Sequence, residues 1–372
     1  MASYKNDLLI GICGKLQLPS GKYASAEERY DTISKTIQAD SYFHGIELRM
    51  YPHGSFRLKT TVKPLSQNEY DLDFVVEIPS GIGLTPKGLY DHIYRILSTD
   101  GVHNRMVERK TRCIRVNYAN DFHMDIMPGQ LINPTTNEII VPDRELKNWY
   151  HHSNPIGYAD WFENQAKKSI RFELNAQRIA KASAEPVTEQ EVVARLEPLR
   201  RAVQLIKRYR DIYCDKFEAE PVRSIVLCTL MGHISSTYSN ELDIINDFCS
   251  YVNSKIVSAN GTPFEVRNPV VDEVLTEKWT EDVNNYNDFV GMMNALTAHV
   301  RKLQAATINT DIASLMKEMF GESVTDDVIK EYASRISTAR VNGTLGVAAT
   351  GTLNTSKIGT MVKKNTFYGD EL

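Results

Sequence analysis

The stretch YDLDFVVEI, residues 70–78, limits most strongly what this 372-residue chain can fold into. Side chains alternate along a β-strand, so Leu72 and Phe74 share an apolar face with Val76 and Ile78, which predicts a strand seated on a core. The opposite face carries Asp71 and Asp73 close together. Because two neighbouring carboxylates repel each other, one of them is driven towards the neutral state unless a cation offsets the repulsion.

A second predicted strand, FHMDIM (residues 122–127), supplies a third carboxylate. Phe122, Met124 and Ile126 alternate with His123 and Asp125, so Asp125 lies on the polar face. If the two strands are neighbours, three carboxylates meet, and their hard oxygen atoms select Mg²⁺ or Mn²⁺. Such a cluster suits two metal ions about 4 Å apart. The histidines near these strands, His53 and His123, are expected to be structural neighbours rather than ligands, because the carboxylates suffice.

A Gly-Ser pair stands upstream of the first strand, at Gly54 and Ser55. Glycine lets the backbone approach a phosphate closely, and the serine hydroxyl can donate to the same group. Arg57, Lys59 and Lys63 add positive charge nearby. A lone D-x-D or Gly-Ser pair is common on solvated strand ends, whereas the combination with a later strand carrying Asp125 is specific. The combination predicts nucleotidyl transfer from a triphosphate.

Hydrophobic periodicity divides the chain into a mixed half and a helical half. In the first half it predicts helices over 24–42 and 85–99, and strands over 46–52, 70–78, 112–119, 122–129 and 137–143. After residue 158 the pattern is mostly helical, with predicted helices over 159–183, 189–213, 223–238, 242–257 and 281–306. From residue 338 onward small polar residues dominate, which predicts a flexible tail.

The predicted fold class is therefore α+β, with a mixed sheet and flanking helices joined to a C-terminal helical bundle. We expect a catalytic core with an N-terminal helix over 1–158, a helical domain over 159–337 and a tail over 338–372. The active site is expected in the cleft between the core and the bundle. The formal net charge of −4 weighs against stable DNA binding and against a membrane-surface role. Five scattered cysteines and the lack of an export signal favour a cytoplasmic protein.

The constellation of Gly-Ser, D-x-D and the later aspartate resembles the polymerase β-like nucleotidyltransferases. Within them, GSFRLKTTVKPL, YDLDFVVEI and FHMDIMPG look like the bacterial cGAS/DncV-like nucleotidyltransferases (CD-NTases). WYHHSNPIGYADWF, LRRAVQLIKRYRD and RNPVVDEVLTEKW resemble the helical half of that family. The resemblance covers residues 25–335 and implies a polymerase β-like core.

The resemblance also implies roles for individual residues. Gly54 and Ser55 would bind the donor triphosphate. Asp71 and Asp73 would hold two Mg²⁺ ions, which Mn²⁺ can replace. Asp125 would bind the first of the two ions and help to activate the ribose hydroxyl.

Further residues enter from the helical half and the flanking strands. A lysine on the helix over 189–213, here Lys207, would contact the donor phosphates, and Ser224 on the next helix would assist. The alternative is that Lys207 belongs to a solvated basic face with its neighbours Arg208 and Arg210. Arg112 and Arg115 flank the active strands and are candidates to contact the acceptor nucleotide. As strand arginines they can equally extend to solvent.

Members of the family join ribonucleoside triphosphates, ATP or GTP here, into a cyclic di- or trinucleotide and release pyrophosphate. The product activates a downstream effector in anti-phage defence. Relatives often end close to Tyr-Gly or Phe-Gly, whereas here three residues follow Gly369, and a regulatory protein at this tail is a further expected partner. Two alternatives stay open: an RNA-terminal nucleotidyltransferase of the tailing or CCA-adding type, and a nucleotide-binding module without catalysis.

Overall fold

The computed structural model describes most of the chain, namely residues 2–65, 70–118, 122–170, 193, 196–234, 236–347, 353–355 and 360–362. The helices of the described part are, in chain order, α1 (Ala2–Leu16), α2 (Ser20–Gln38), α3 (Gly54–Arg57), α4 (Pro86–Thr99), α5 (Pro155–Lys168), α6 (Pro198–Phe217), α7 (Ser224–His233), α8 (Glu241–Ser258), α9 (Glu277–Glu281), α10 (Val283–Ala305), α11 (Asn309–Phe320) and α12 (Glu322–Val341). The strands are β1 (Arg49–His53), β2 (Tyr70–Ile78), β3 (Val107–Arg109), β4 (Ile114–Tyr118), β5 (Phe122–Asn133), β6 (Glu138–Pro142), β7 (Tyr150–Ser153), β8 (Gly346–Val347), β9 (Leu353–Asn354) and β10 (Thr360–Met361).

Strands β1 to β7 form one mixed sheet. Its main order is β1-β2-β5-β4-β3, with β6 pairing with β5 and β7 pairing with β6. The β2–β5 pair is parallel, whereas its other pairs are antiparallel. The predicted mixed sheet with flanking helices is therefore confirmed, and β2 and β5 lie side by side at its centre.

The apolar face of this sheet is covered by α2 and α4. Leu72 and Phe74 of β2 are buried together with Ile33 and Ile37 of α2 and Ile93 of α4. Burying a large aliphatic or aromatic side chain contributes about 1.5–3 kcal/mol. Because this face is closed by helices, the carboxylates on the opposite face of β2 point away from the core, as the alternation predicts.

The helical half has its own core, and two segments from the sheet half belong to it. Leu8, Leu9 and Ile12 of α1 are fully buried in this core, as is Phe162 of α5. The predicted division placed α1 with the sheet and put a boundary at residue 158, which falls inside α5. The apolar faces of α1 and α5 are complementary to the bundle, and sequence order alone does not reveal this packing.

Most predicted elements of the first half are found, with shifted ends. β2 and α4 match closely, and Thr85 caps α4 by accepting a hydrogen bond from the Gly88 N–H at 3.0 Å. Helix α2 begins at Ser20, earlier than predicted, directly after Pro19. Strand β1 begins at Arg49 rather than at 46, because its ladder starts where Arg49 faces Glu77 near the end of β2.

The helical half also differs from the prediction at several ends. The predicted helices over 159–183 and 189–213 correspond to α5 and α6, and their parts between 171 and 192 lie outside the described residues. The predicted tail boundary at 338 falls inside α12, which continues to Val341. Beyond it, β10, β8 and β9 pair into a small antiparallel sheet. The segment NTFYG at 365–369 lies outside the described residues. Among the described helices, none combines the length and apolar character needed to cross a bilayer.

Candidate active site

Strand register brings two of the aspartates directly side by side. Asp73 on β2 faces Asp125 on β5 in the parallel ladder, and Asp71 lies two residues earlier on the same face of β2. On the other side of β5, Arg115 of β4 faces Asp125. The predicted convergence of the three carboxylates is therefore observed, and it follows from the pairing of β2 with β5.

The carboxylates open into a cleft between the sheet and the helical half. The cleft has a volume of about 1020 Å³. Its lining includes Arg115 and seven further residues singled out from the sequence: Gly54, Ser55, Asp71, Asp73, Asp125, Lys207 and Ser224. Helices α6 and α7 form the wall opposite the strands. Asp211 and Asp215 of α6, and Arg223 directly before α7, also line the cleft and were not predicted from the sequence. Their signal would have been the position of Asp211 and Asp215 one and two turns beyond Lys207 on the same helix.

The pKa of Asp73 is raised by its surroundings. Burial, together with the negative charges of Asp125 and Asp71, raises the pKa of Asp73 to about 7. Lys207 and Arg115 act in the opposite sense. The repulsion expected from the sequence therefore contributes to the raised pKa of Asp73, after burial.

Gly54 is required by the position of Asp73. The residue has a φ of +56°, in the left-handed region that favours glycine. A Cβ atom at this position would lie 2.1 Å from Asp73 Oδ2. The backbone of the Gly-Ser segment thus packs directly on the carboxylate, which ties this segment to the acidic cluster.

The Gly-Ser segment forms the short helix α3 rather than a simple turn. The Ser55 Oγ lies 3.3 Å from the Thr61 Oγ1, and both residues line the cleft. Thr61 was not singled out by the sequence analysis. Its signal would have been the run of two threonines that follows the basic residues after Ser55. Two hydroxyl groups held together at the cleft surface are suitable donors for phosphate oxygens.

Arg115 lies on the carboxylates. Its Nε and Nη2 donate to the two oxygens of Asp125 at 2.7 and 2.8 Å, and Nη2 also lies 3.2 Å from Asp71 Oδ1. Arg112, by contrast, donates through Nε to Asp143 at 2.7 Å and is not part of the cleft lining. The two arginines, which the sequence treats alike, therefore have different surroundings.

Helix α6 presents Lys207 to the cleft from a buried position. Lys207 is 6% exposed, and its Nζ donates to the Thr60 carbonyl at 2.9 Å. Burial lowers the pKa of Lys207. Arg208 is also buried and donates to the carbonyls of Phe320 and Lys63 at 3.0 and 3.3 Å. The alternative of a solvated basic face is therefore wrong, because these side chains extend inward.

Two more side chains of α6 bind the backbone between residues 58 and 63. Arg200 donates to the Leu58 carbonyl, and the Gln204 Nε2 donates to the Thr61 carbonyl at 3.2 Å. Together with Lys207 and Arg208, they hold the chain between residues 58 and 63, which continues from Ser55. One helix of the bundle therefore fixes the backbone that follows the Gly-Ser motif.

Ser224 is the first residue of α7, and its hydroxyl lies beside the positively charged side chain of Arg210. Its Oγ accepts a hydrogen bond from Arg210 Nη1 at 2.9 Å, while Arg210 Nη2 binds Asp211 at 2.6 Å. Ser224 and Lys207 line the same cleft from successive helices. The structure thus places both predicted helical residues on the wall that faces the strands.

The donor atoms of the acidic cluster have the chemistry that Mg²⁺ and Mn²⁺ prefer. All three side chains offer carboxylate oxygens, and a nearby cation would offset the negative charges of Asp125 and Asp71 that help to raise the pKa of Asp73. Within the described residues, no group of three or more His, Cys, Asp or Glu side chains is already arranged around a common metal position. The carboxylate oxygens fit a divalent cation chemically, and in the structure Arg115 forms hydrogen bonds to two of the three carboxylates.

Comparison with known proteins agrees with this geometry. Residues 6–166 match the family model of the Second Messenger Oligonucleotide or Dinucleotide Synthetase domain (SMODS). The chain is 33% identical over 371 residues to a protein of Roseivirga ehrenbergii named c-di-GMP synthase, covering 98% of this chain and 97% of that protein. It is 26% identical over 341 residues to the cyclic dinucleotide synthase CdnG of Bradyrhizobium diazoefficiens, covering 86% and 81%.

Solved structures show the same fold. The CD-NTase CdnG of Bradyrhizobium diazoefficiens in complex with GTP has a TM-score of 0.72 at 24% identity, covering 88% of this chain and 99% of that one. The CdnC:HORMA-deltaN complex of E. coli MS115-1 gives 0.60 at 13% identity, covering 87% and 99%. Fold and site together define a nucleotidyltransferase with a polymerase β-like core. Within that class, the chain belongs to the bacterial CD-NTase family.

Proposed function

We propose that this enzyme joins two ribonucleoside triphosphates, with guanosine triphosphate as the principal substrate, into a cyclic dinucleotide. The observation that carries the proposal is the ladder that sets Asp73 beside Asp125 in a cleft also lined by Gly54 and Ser55. Support for the cyclic dinucleotide and for guanosine comes from the Roseivirga relative, which is similar over nearly its whole length and is named c-di-GMP synthase.

The proposed reaction is two successive nucleotidyl transfers. In each, a ribose hydroxyl oxygen forms a bond to the α-phosphorus of a triphosphate, the bond to pyrophosphate breaks, and the hydroxyl proton is lost. The second transfer closes the ring. Each transfer thus releases one pyrophosphate, and the cyclic product has no terminal phosphate.

The chain's own residues would position the reactants. Gly54 and Ser55 would hold the donor triphosphate through backbone and hydroxyl contacts, with Lys207 and Ser224 on the opposite wall adding charge and a hydroxyl. Asp71, Asp73 and Asp125 would hold Mg²⁺, with Mn²⁺ as a substitute. When bound, the metal supplies charge stabilisation for the transferring phosphate and lowers the pKa of the attacking hydroxyl.

Product analysis tests this proposal. We expect the full-length protein, incubated with the four ribonucleoside triphosphates and Mg²⁺ and then treated with phosphatase, to leave a phosphatase-resistant dinucleotide detected by mass spectrometry. Asp125→Asn keeps the shape of the side chain and removes its charge, so product is expected to fall by at least 100-fold. The proposal fails if product is absent with both Mg²⁺ and Mn²⁺. A labelled RNA primer in a parallel reaction tests the alternative, because its extension in place of cyclic product would indicate an RNA-terminal nucleotidyltransferase.

Metal dependence and pyrophosphate release are tested in the same reaction. Addition of EDTA is expected to abolish product, and Mg²⁺ or Mn²⁺ in excess is expected to restore it. Pyrophosphate measured with a coupled enzyme is expected at two equivalents per cyclic dinucleotide. A ratio near one would indicate that the product is a linear dinucleotide.

We also propose that the product is a second messenger, made in the cytoplasm, that activates an effector in anti-phage defence. The support is membership of the CD-NTase family, and the five free cysteines suit a reducing compartment. The complex of E. coli CdnC with a HORMA protein supports a regulatory protein as a further partner. For the tail, mass spectrometry of the protein from its native host tests whether a partner enzyme conjugates the C-terminus, because an intact Leu372 without an adduct rejects that idea.

A further inference from the structure

The guanidinium of Arg115 forms ion pairs with two carboxylates of the acidic cluster, Asp125 and Asp71. Two parallel hydrogen bonds of 2.7 and 2.8 Å bind both oxygens of Asp125, and a third contact of 3.2 Å reaches Asp71. Two-pronged arginine–carboxylate pairs are stronger and better oriented than single hydrogen bonds. Asp125 and Arg115 face each other across the β4–β5 ladder, so the backbone holds the pair in register.

These contacts use the oxygens that a metal ion would need. Both carboxylate oxygens of Asp125 accept from Arg115, and the same guanidinium engages one oxygen of Asp71. The side chain of Arg115 is 22% exposed and lies at the cleft surface, whereas that of Asp125 is 15% exposed. A divalent cation that approaches these oxygens therefore meets a positive charge already in place.

Asp73 differs from its two neighbours in this respect. The described part of the chain supplies it with no ion pair, although Asp125 faces it directly in the ladder. Arg115 thus pairs with Asp125 and Asp71, and a cation that arrives from outside would add a direct partner for Asp73. A triphosphate that arrives with its metal ion brings both a cation for the carboxylates and an anion for the displaced guanidinium.

We propose that Arg115 is a displaceable internal counter-ion, which competes with the metal in the nucleotide-free enzyme and transfers to phosphate when the metal–triphosphate complex binds. The proposal rests on the proposed function for its ligand. It makes Arg115 a positioning residue that favours joint binding of metal and nucleotide over binding of metal alone. The same positive charge also offsets the repulsion among the three carboxylates before substrate binds.

The test measures Mn²⁺ binding to the nucleotide-free, full-length protein by electron paramagnetic resonance titration. We expect wild type to bind Mn²⁺ weakly and Arg115→Gln to bind it at least tenfold more tightly, because the competing charge is gone. Arg112→Gln is the matched control. It removes an arginine whose Nε makes an equally short 2.7 Å bond, to Asp143, outside the cleft, and its Mn²⁺ affinity is expected to equal that of wild type.

A second titration adds a non-hydrolysable GTP analogue. The advantage of Arg115→Gln over wild type is expected to shrink to less than threefold, because in wild type the freed guanidinium now contacts phosphate. Should Arg115→Gln fail to fold, Arg115→Lys replaces it, since a lysine cannot make the two parallel bonds and is expected to bind Mn²⁺ more tightly than wild type.

Equal or weaker Mn²⁺ binding by the folded variant overturns the proposal, as does tight Mn²⁺ binding by nucleotide-free wild type. Absence of Mn²⁺ binding by both proteins overturns it as well. None of these measurements requires turnover. A protein that makes no cyclic product but shows the tenfold effect would refute the proposed function and leave the role of Arg115 intact.

Discussion

The contact between Gly54 and Asp73 leads to a quantitative prediction for Gly54→Ala. The added Cβ would lie 2.1 Å from Asp73 Oδ2, whereas ordinary contacts begin at 3.4 Å. To reach an ordinary contact, the carboxylate or the backbone must therefore move by about 1.3 Å. A misplacement of about 1 Å in a reacting group can lower a rate by about 100-fold. We expect kcat for the cyclic product to fall by about that factor or more.

Stability is expected to change less than activity. A non-glycine residue in the left-handed region costs roughly 1–2 kcal/mol. Gly45 provides the matched control, because its φ is +80° and a Cβ there would meet nothing within 4 Å. Gly45→Ala should therefore show the same backbone cost and keep wild-type kcat. The difference between the two variants isolates the displacement of Asp73.

The assay combines urea unfolding, followed by circular dichroism, with initial rates of product formation at saturating triphosphate. Both variants are expected to lose about 1–2 kcal/mol in the free energy of unfolding. Only Gly54→Ala is expected to lose activity. If kcat of Gly54→Ala stays within threefold of Gly45→Ala, the reasoning that links the Gly-Ser backbone to the position of Asp73 is wrong.

Three further predictions concern the helical half. Lys207→Gln and Arg208→Gln each remove a hydrogen bond to the 58–63 segment, so each should cost about 1–3 kcal/mol in the free energy of unfolding. Lys207 lines the cleft, so only Lys207→Gln should raise KM for triphosphate, by about tenfold or more. Equal changes of KM in the two variants would contradict this prediction. Glu241→Ala leaves Arg201 buried without its 2.7 Å partner and should cost about 3–5 kcal/mol in urea unfolding, with Glu241→Gln costing less; a loss below about 1 kcal/mol would show that the pair is unimportant. Ser224→Ala removes the acceptor of Arg210 Nη1 and should lower kcat/KM by about 3–10-fold with little change in stability, whereas unchanged kinetics would assign the hydroxyl no role.

Features of the fold that depend on residues close together in the sequence could be predicted, whereas features that depend on distant residues could not. The faces of β2 and the N-terminal cap of α4 depend on residues within a few positions of each other, and both are confirmed. The start of β1 was missed, because it depends on where Glu77 offers a partner. The assignment of α1 to the helical core was missed, because its complementary surface is built from residues about 190 to 320 positions away.

The same distinction applies to the active site. Alternation in YDLDFVVEI and FHMDIM by itself determined that Asp71, Asp73 and Asp125 lie on polar faces, and therefore the class of chemistry. Only the tertiary structure decided that Arg115 contacts these acids while Arg112 does not, and that Lys207 is buried on the 58–63 segment. The physical reason is that the face of a strand is a local property of the backbone. The partner of a charge, by contrast, depends on which distant segments pair with each other.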